Sequence, residues 1–134
     1  MAFTFTSNFM AVQVALERQI NRKMERACRH LVNETKKTLT GTRTGRLYRV
    51  AGTSRKYRAS APNEAPAVRT GRLRNSIKYV VFHTGGLNVR GIVGTTLVYA
   101  PPLEFGTSKM RARPFLRVTF SRERGKILQI MREG

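Results

Sequence analysis

Glu104 is the only acid in the stretch LEFGTSKMRARPFL, where it stands between Leu103 and Phe105 among several cations. General acid–base or nucleophilic chemistry would need a second titratable group within hydrogen-bond reach. The sequence supplies few such groups. Its seven acids are all Glu (Glu17, Glu25, Glu34, Glu64, Glu104, Glu123 and Glu133), and they are scattered. His30 and His83 fit no ligand spacing. Cys28 is the single cysteine, so it can form no internal disulfide, and a metal site would need more ligands. It reads as a small buried hydrophobe on a helix. No GxxxxGK[ST], HExxH, GxSxG or CxxC is present, so phosphate-loop, metalloprotease, hydrolase and thiol-redox chemistries lack their spacing. The expectation is a protein that is no enzyme, with no catalytic residues, no metal and no cofactor.

What remains is binding. Lys and Arg number 26 against seven acids, for a net charge of +19. A field of that size repels itself, which points to an acidic partner: nucleic acid, an acidic protein surface or an anionic membrane. No apolar run approaches the roughly 20 residues of a membrane span. The start MAFTFTSNF lacks the charged-then-apolar order of a secretory signal, so synthesis in a reducing cytoplasm is expected.

The most basic and least core-like stretch is 41–69, which contains the first of two RTGRL copies (43–47 and 69–73). Arg43, Arg46, Arg49, Arg55, Lys56 and Arg58 are the candidate contacts to a partner or to DNA. Arg46–Val50 and Arg55–Ala59 suit a hairpin across AGTS, with Tyr48 and Tyr57 among the cations. Binding of DNA here would run through phosphates, blind to sequence and steeply salt-dependent, because no base-reading device accompanies the charge.

The elements that position these residues follow from periodicity. Val12, Leu16, Ile20, Met24, Cys28 and Leu31 step by three or four, predicting one long helix over 7–39. Ser7 or Asn8 would cap it and Gly41 would stop it. So long a helix with so narrow a stripe suggests that part of it packs on another subunit, although a mid-helix break is an alternative. The second RTGRL opens a short helix, with Thr70 as N-cap and Leu73 and Ile77 on one face. Two strands follow, Lys78–Thr84 and Leu87–Val98, joined at Gly85-Gly86. Gly91 and Gly94 imply a bulge or a close backbone approach.

A last helix begins at Pro114, with Leu116, Phe120, Ile127 and Met131 as its apolar face and Gly125 as a possible break. The fold class is α+β: a long N-terminal helix, a small antiparallel sheet, a short middle helix and a C-terminal helix. All of it forms one domain over 1–134, divided as 7–39 helix, 41–69 basic loop or hairpin, and 70–134 sheet plus helix. Glu104 then sits in a turn linking sheet to last helix. Gly106 allows positive φ, Thr107 can bond its own backbone, and Arg111 or Arg113 is placed to return to the carboxylate. The turn would aim Pro114-Phe115-Leu116 at the core or an interface, and Glu104→Gln is expected to impair assembly more than protomer folding.

APNEAPAVRTGRLRNSI, GxVGTxxxYAPPLEFGT and ARPFLR, taken together over about residues 61–120, resemble the "gene product ten"-like family of long-tailed bacteriophages. These are head–tail joining, neck or tail-completion proteins. The resemblance implies a structural virion protein of siphovirus type, with no enzymatic activity and no cofactor. Made in the host bacterial cytoplasm, it would form a ring with itself, a hexamer, at the head–tail junction. Its neighbours would be connector, stopper and tail proteins, with DNA passing through the channel. The residues that carry over are Thr70, Gly71, Leu73 and Ile77; Gly94, Thr95 and Tyr99; Glu104, Phe105, Gly106 and Thr107; and Ala112, Arg113, Pro114, Phe115 and Leu116. They are markers of the fold. The alternative to this reading is a small basic protein that binds nucleic acid without sequence preference.

Overall fold

The structure, a computed structural model, describes residues 5–40, 43, 45, 47–49, 51–52, 54–58, 66 and 71–133. Helix α1 runs unbroken over Phe5–Thr38, about 51 Å at 1.5 Å per residue. Neither Gly nor Pro interrupts its 34 residues, and Lys36 and Lys37 in the last turn suit the negative end of the helix dipole. It begins before Ser7, so Ser7 and Asn8 lie within the helix and do not cap it. Its C-terminal end is closed by a cation: the Arg43 guanidinium donates to the Thr38 carbonyl at 2.6 Å. Gly41, the expected stop, lies outside the described residues.

Among the described residues, the buried positions of α1 fall in its second half, at Ala27, Cys28, Leu31, Val32, Thr35 and, just past its end, Leu39. It packs against α4 (Leu116–Arg132). The two helices run antiparallel, as four cross-links in reverse order show. Arg26 meets Glu133 at 3.4 Å and His30 meets Glu123 at 2.9 Å. Glu34 meets Arg122 at 3.8 Å, and the Thr38 and Thr119 hydroxyls are 2.8 Å apart. α4 continues through Gly125 without a break. Its first residue is Leu116, two after Pro114, and its buried positions are Thr119 and Ile130; Phe120 instead points outward. A threonine takes the inner place because both neighbours satisfy its hydroxyl: the Phe115 carbonyl accepts from it and the Thr38 hydroxyl pairs with it. The face predicted from hydropathy is therefore rotated.

Strands β3 (Lys78–Gly85) and β4 (Asn88–Gly94) form the antiparallel hairpin that lies on α1. Their register runs from Lys78↔Gly94 to His83↔Val89, then shifts at a bulge to Gly85↔Asn88 around Gly86-Leu87. Gly91 has no room for a Cβ, which would collide with Cys28 Sγ and Met24 Sδ of α1. The close approach foreseen at Gly91 is thus made by helix side chains. Gly94 meets nothing of the kind. β4 ends four residues short of Val98, because the Thr95 hydroxyl takes the Leu97 amide (3.2 Å) that a strand would offer to a neighbour.

The other elements are short. β1 (Leu47–Arg49) and β2 (Lys56–Arg58) pair as a second, separate hairpin. α2 covers Arg72–Ser76 with Gly71 at its N-cap position (φ 79°) and no side-chain cap. Thr70, the expected cap, lies outside the described residues. Ile77 is extended and leads directly into β3. A third helix, α3 (Ala100–Phe105), was not expected. Pro101 and Pro102 fall in its first turn, where a missing amide hydrogen costs no helical bond. Val32, Leu39, Ile77, Ala100 and Phe115 make the central cluster, flanked by Leu73, Tyr79, Val93, Leu97, Leu103 and Leu116. The result is an α+β protein with a small antiparallel sheet against helices.

Candidate functional site

Glu104 lies at the end of α3, and its carboxylate is buried. It accepts hydrogen bonds from three successive backbone amides: Phe115 at 2.8 Å, Leu116 at 3.1 Å and Arg117 at 2.8 Å. Those amides are orphan donors at the start of α4, where the helix dipole also favours an anion. Glu104 is therefore the cap of α4, supplied from the preceding helix in place of a residue at the N-cap. The cation beside it is Arg117 (Nε to Oε1, 3.8 Å), and not Arg111 or Arg113, the two that sequence suggested. The Arg117 guanidinium also donates to the Glu104 carbonyl at 3.2 Å and lies over the Phe105 ring, 5.5 Å from its centre.

The loop between α3 and α4 is tied at each step. Gly106 donates to the Pro102 carbonyl at 2.8 Å, and its φ of 78° is one that side-chain-bearing residues rarely adopt. A Cβ there would also stand 2.8 Å from the Ala112 nitrogen. The Thr107 amide donates to the Met110 carbonyl at 2.8 Å, and its hydroxyl accepts from the Lys109 amide at 3.3 Å. The Arg113 amide donates to the Leu103 carbonyl at 2.6 Å, bringing the segment before Phe115 back onto α3. Phe115 itself is fully enclosed. Three backbone amides thus take up most of the acceptor capacity of the carboxylate. The arrangement fixes backbone.

Other predicted residues fall around this lock. Leu73 is half-buried and Ile77 is buried beside Phe115 in the central cluster. Gly94 ends β4, and Thr95 follows it, with its hydroxyl 2.7 Å from Ser76 Oγ. Tyr99 occupies the N-cap position of α3 without a side-chain cap bond. Phe105 is 70% exposed. Of the basic candidates, Arg49, Lys56 and Arg58 lie on the β1–β2 hairpin, with Arg49 directly opposite Lys56. Arg58 donates to the Gly45 carbonyl at 3.1 Å. Arg55 immediately precedes β2. Arg43 is turned back onto α1, and Arg46 lies outside the described residues.

Two features escaped the sequence reading. One is the role of Arg117, whose signal is its place three residues after Pro114 with Glu104 upstream. The other is an open apolar groove of about 450 Å³ between α1, β4 and α4. Burial raises the Cys28 thiol pKa at this groove, as suits an inert core cysteine. Among the described residues no three His, Cys, Asp or Glu side chains gather in a metal-binding group, and no helix is long and apolar enough to cross a membrane.

No curated protein and no solved structure matches the chain. A family model does, over residues 3–106: HK97-gp10-like, described as "Bacteriophage HK97-gp10, putative tail-component". The matched stretch takes in α1, both hairpins, α2 and α3 with the Glu104 acid, and it ends at Gly106, before α4. With more than half of its length matched, the chain belongs to the HK97-gp10-like family of bacteriophage tail components.

Proposed function

We propose that this protein is a structural component of the virion that assembles with copies of itself into a ring, a hexamer, at the head–tail junction. There it completes the joint between connector or stopper and tail, and DNA passes through its centre. The observation that carries this reading, beside the family, is the first half of α1. Val12 is 56% and Leu16 41% exposed on a helix whose second half is core. A helix of this length with Val12 and Leu16 left uncovered is built for a neighbour. The fold markers serve assembly by holding α3 and α4 rigid through Glu104.

The charge fits a place between other protein layers. Arg49 facing Lys56 is a like-charge pair, which is unfavourable directly across a hairpin. An acidic surface on an adjoining ring would relieve it. A phosphate backbone would do the same, which keeps the nucleic-acid reading as the rival. Analytical ultracentrifugation of the purified protein and electron microscopy of neck complexes test the proposal. Multi-copy particles at the head–tail junction are the expected result, whereas a strict monomer absent from mature particles would sink it. The rival predicts duplex DNA binding that weakens at least about a thousandfold between 50 and 200 mM salt, as for a protein that neutralises six or more phosphates.

A further inference from the structure

The first 16 residues, MAFTFTSNFMAVQVAL, hold no charged residue, although the chain as a whole is a quarter charged and carries +19. The first charge is an acid, Glu17. Within this stretch Val12 and Leu16 are exposed one turn apart, and Ile20, one turn further, is half-buried. The groove between α1, β4 and α4 has matching chemistry. Met24, Cys28, Ile92, Leu116, Phe120 and Ile127 help line it, and among the described residues the one charged group in its lining is Arg117. Ile92 and Phe120, at 50% and 49% exposure, form apolar rims that remain in solvent.

We propose that the uncharged start of α1 in one copy docks in this groove of a second copy, with Val12 and Leu16 as anchors and Glu17 meeting Arg117. The proposal rests on the ring reading above and deepens it by naming the two surfaces that join.

Three arguments support a second copy as the occupant. The stripe cannot fill the groove of its own protomer: Leu16 and Cys28 are 12 residues apart on one unbroken helix, about 18 Å, and the helix cannot fold back. Charge selects the surfaces. Two chains of +19 repel wherever cations face cations, so contact is favoured where a segment without charged side chains meets a groove whose described lining holds one charge, Arg117. An acid beside the stripe and an arginine at the groove then give the pair its sign. Geometry supplies the closure. Stripe and groove are different surfaces, so the contact is head-to-tail, and such contacts generate rings when the rotation closes. Anchors at i and i+4 on a helix entering an apolar groove are a general recognition mode.

The test uses the full-length protein and its mass in solution across a range of concentrations. Leu16→Glu spoils the stripe and Phe120→Glu spoils the groove, both at positions exposed enough to leave the fold intact. Each variant alone should shift the midpoint of self-association at least about tenfold upward. Mixed in equal amounts, they should give a two-chain particle and nothing larger, because one intact stripe can enter one intact groove. Misfolded variants cannot produce that result, and Val12→Lys with Ile92→Lys forms a second pair with the same expected behaviour. Wild-type-like assembly by both members of a pair overturns the docking while leaving the ring in place. A mixture of well-folded variants that stays single-chain overturns it as well. A wild type that is monomeric at every concentration removes ring and docking together. If the variants are then lost from particles, the two surfaces belong to contacts with another virion protein.

Discussion

The Glu104 carboxylate holds the Phe115 amide at 2.8 Å, so an acid at the end of α3 caps the start of α4, which follows after a ten-residue loop. Phe115 is the most enclosed large side chain of the core, and the same bond that caps the helix also fixes the backbone from which that ring projects. Core, cap and loop are therefore coupled through one carboxylate.

Replacing that acid with Gln keeps the shape but loses the charge, and it turns an amide NH2 toward at least one of the three backbone donors. Glu104→Gln is therefore expected to lower protomer stability by about 2 kcal/mol, the scale of a charge-assisted hydrogen bond in a buried site. For a chain of this length the melting temperature should fall by roughly 8 °C. The main effect of this substitution thus moves from assembly, as sequence suggested, to the protomer. Thermal unfolding followed by circular dichroism under conditions that hold the protein as single chains reads it. A change within about 1 °C would show that the cap contributes little.

Two glycines separate conformational need from helix cost. Gly106 has φ 78° and a backbone nitrogen 2.8 Å from where a Cβ would stand, whereas Gly125 lies exposed in α4 with open space around it. Gly106→Ala should destabilise by about 1–3 kcal/mol, and Gly125→Ala should stabilise by roughly 0.5–1 kcal/mol. Urea unfolding midpoints of the two variants should move in opposite directions. Movement in the same direction would contradict the assignment.

Much of the architecture was legible because it rests on side-chain periodicity. The four-residue steps of α1 and the β-branched runs around Gly85-Gly86 have hydropathic signatures. The parts that were not legible involve groups that no letter displays. Glu104 was matched to the arginines nearest in sequence, but its partners are backbone amides, and every residue except proline carries one. α3 is hidden because Pro101-Pro102 suits a loop after a strand as well as the first turn of a helix. On α4 the inner face was misjudged because Thr119 is polar by composition and satisfied by its neighbours in the fold. The basic hairpin was placed to within a residue or two of its strands, since Gly52 in AGTS adopts the positive φ such a turn requires.

The approach of β4 to α1 yields a coupled prediction. Gly91→Ala would push a methyl group into Cys28 Sγ and Met24 Sδ, so it should destabilise by about 1–3 kcal/mol, the usual cost of overpacking a core. Cys28→Ala removes the sulfur and opens room on one side of that methyl. The double variant should therefore be more stable than the sum of the two single changes predicts. A double-mutant cycle in urea measures the difference, and simple additivity would mean that the two positions do not touch.

The His30–Glu123 bridge links α1 to α4 and makes their packing sensitive to acid. The hydrogen bond from His30 is the main cause that lowers the Glu123 pKa, with Arg122 assisting. A carboxyl group depressed in the folded state binds protons more tightly once unfolded. It therefore contributes stability that is present above its unfolded value, about 4.3, and lost as pH falls through the folded value. Wild type should be more stable than Glu123→Gln at pH 6, and the gap should narrow as pH drops below about 4.3 and be lost once pH lies below the folded value. Urea midpoints for the two proteins at a series of pH values decide it. A gap that keeps its full size at pH 3 would mean that Glu123 acts by packing rather than by charge.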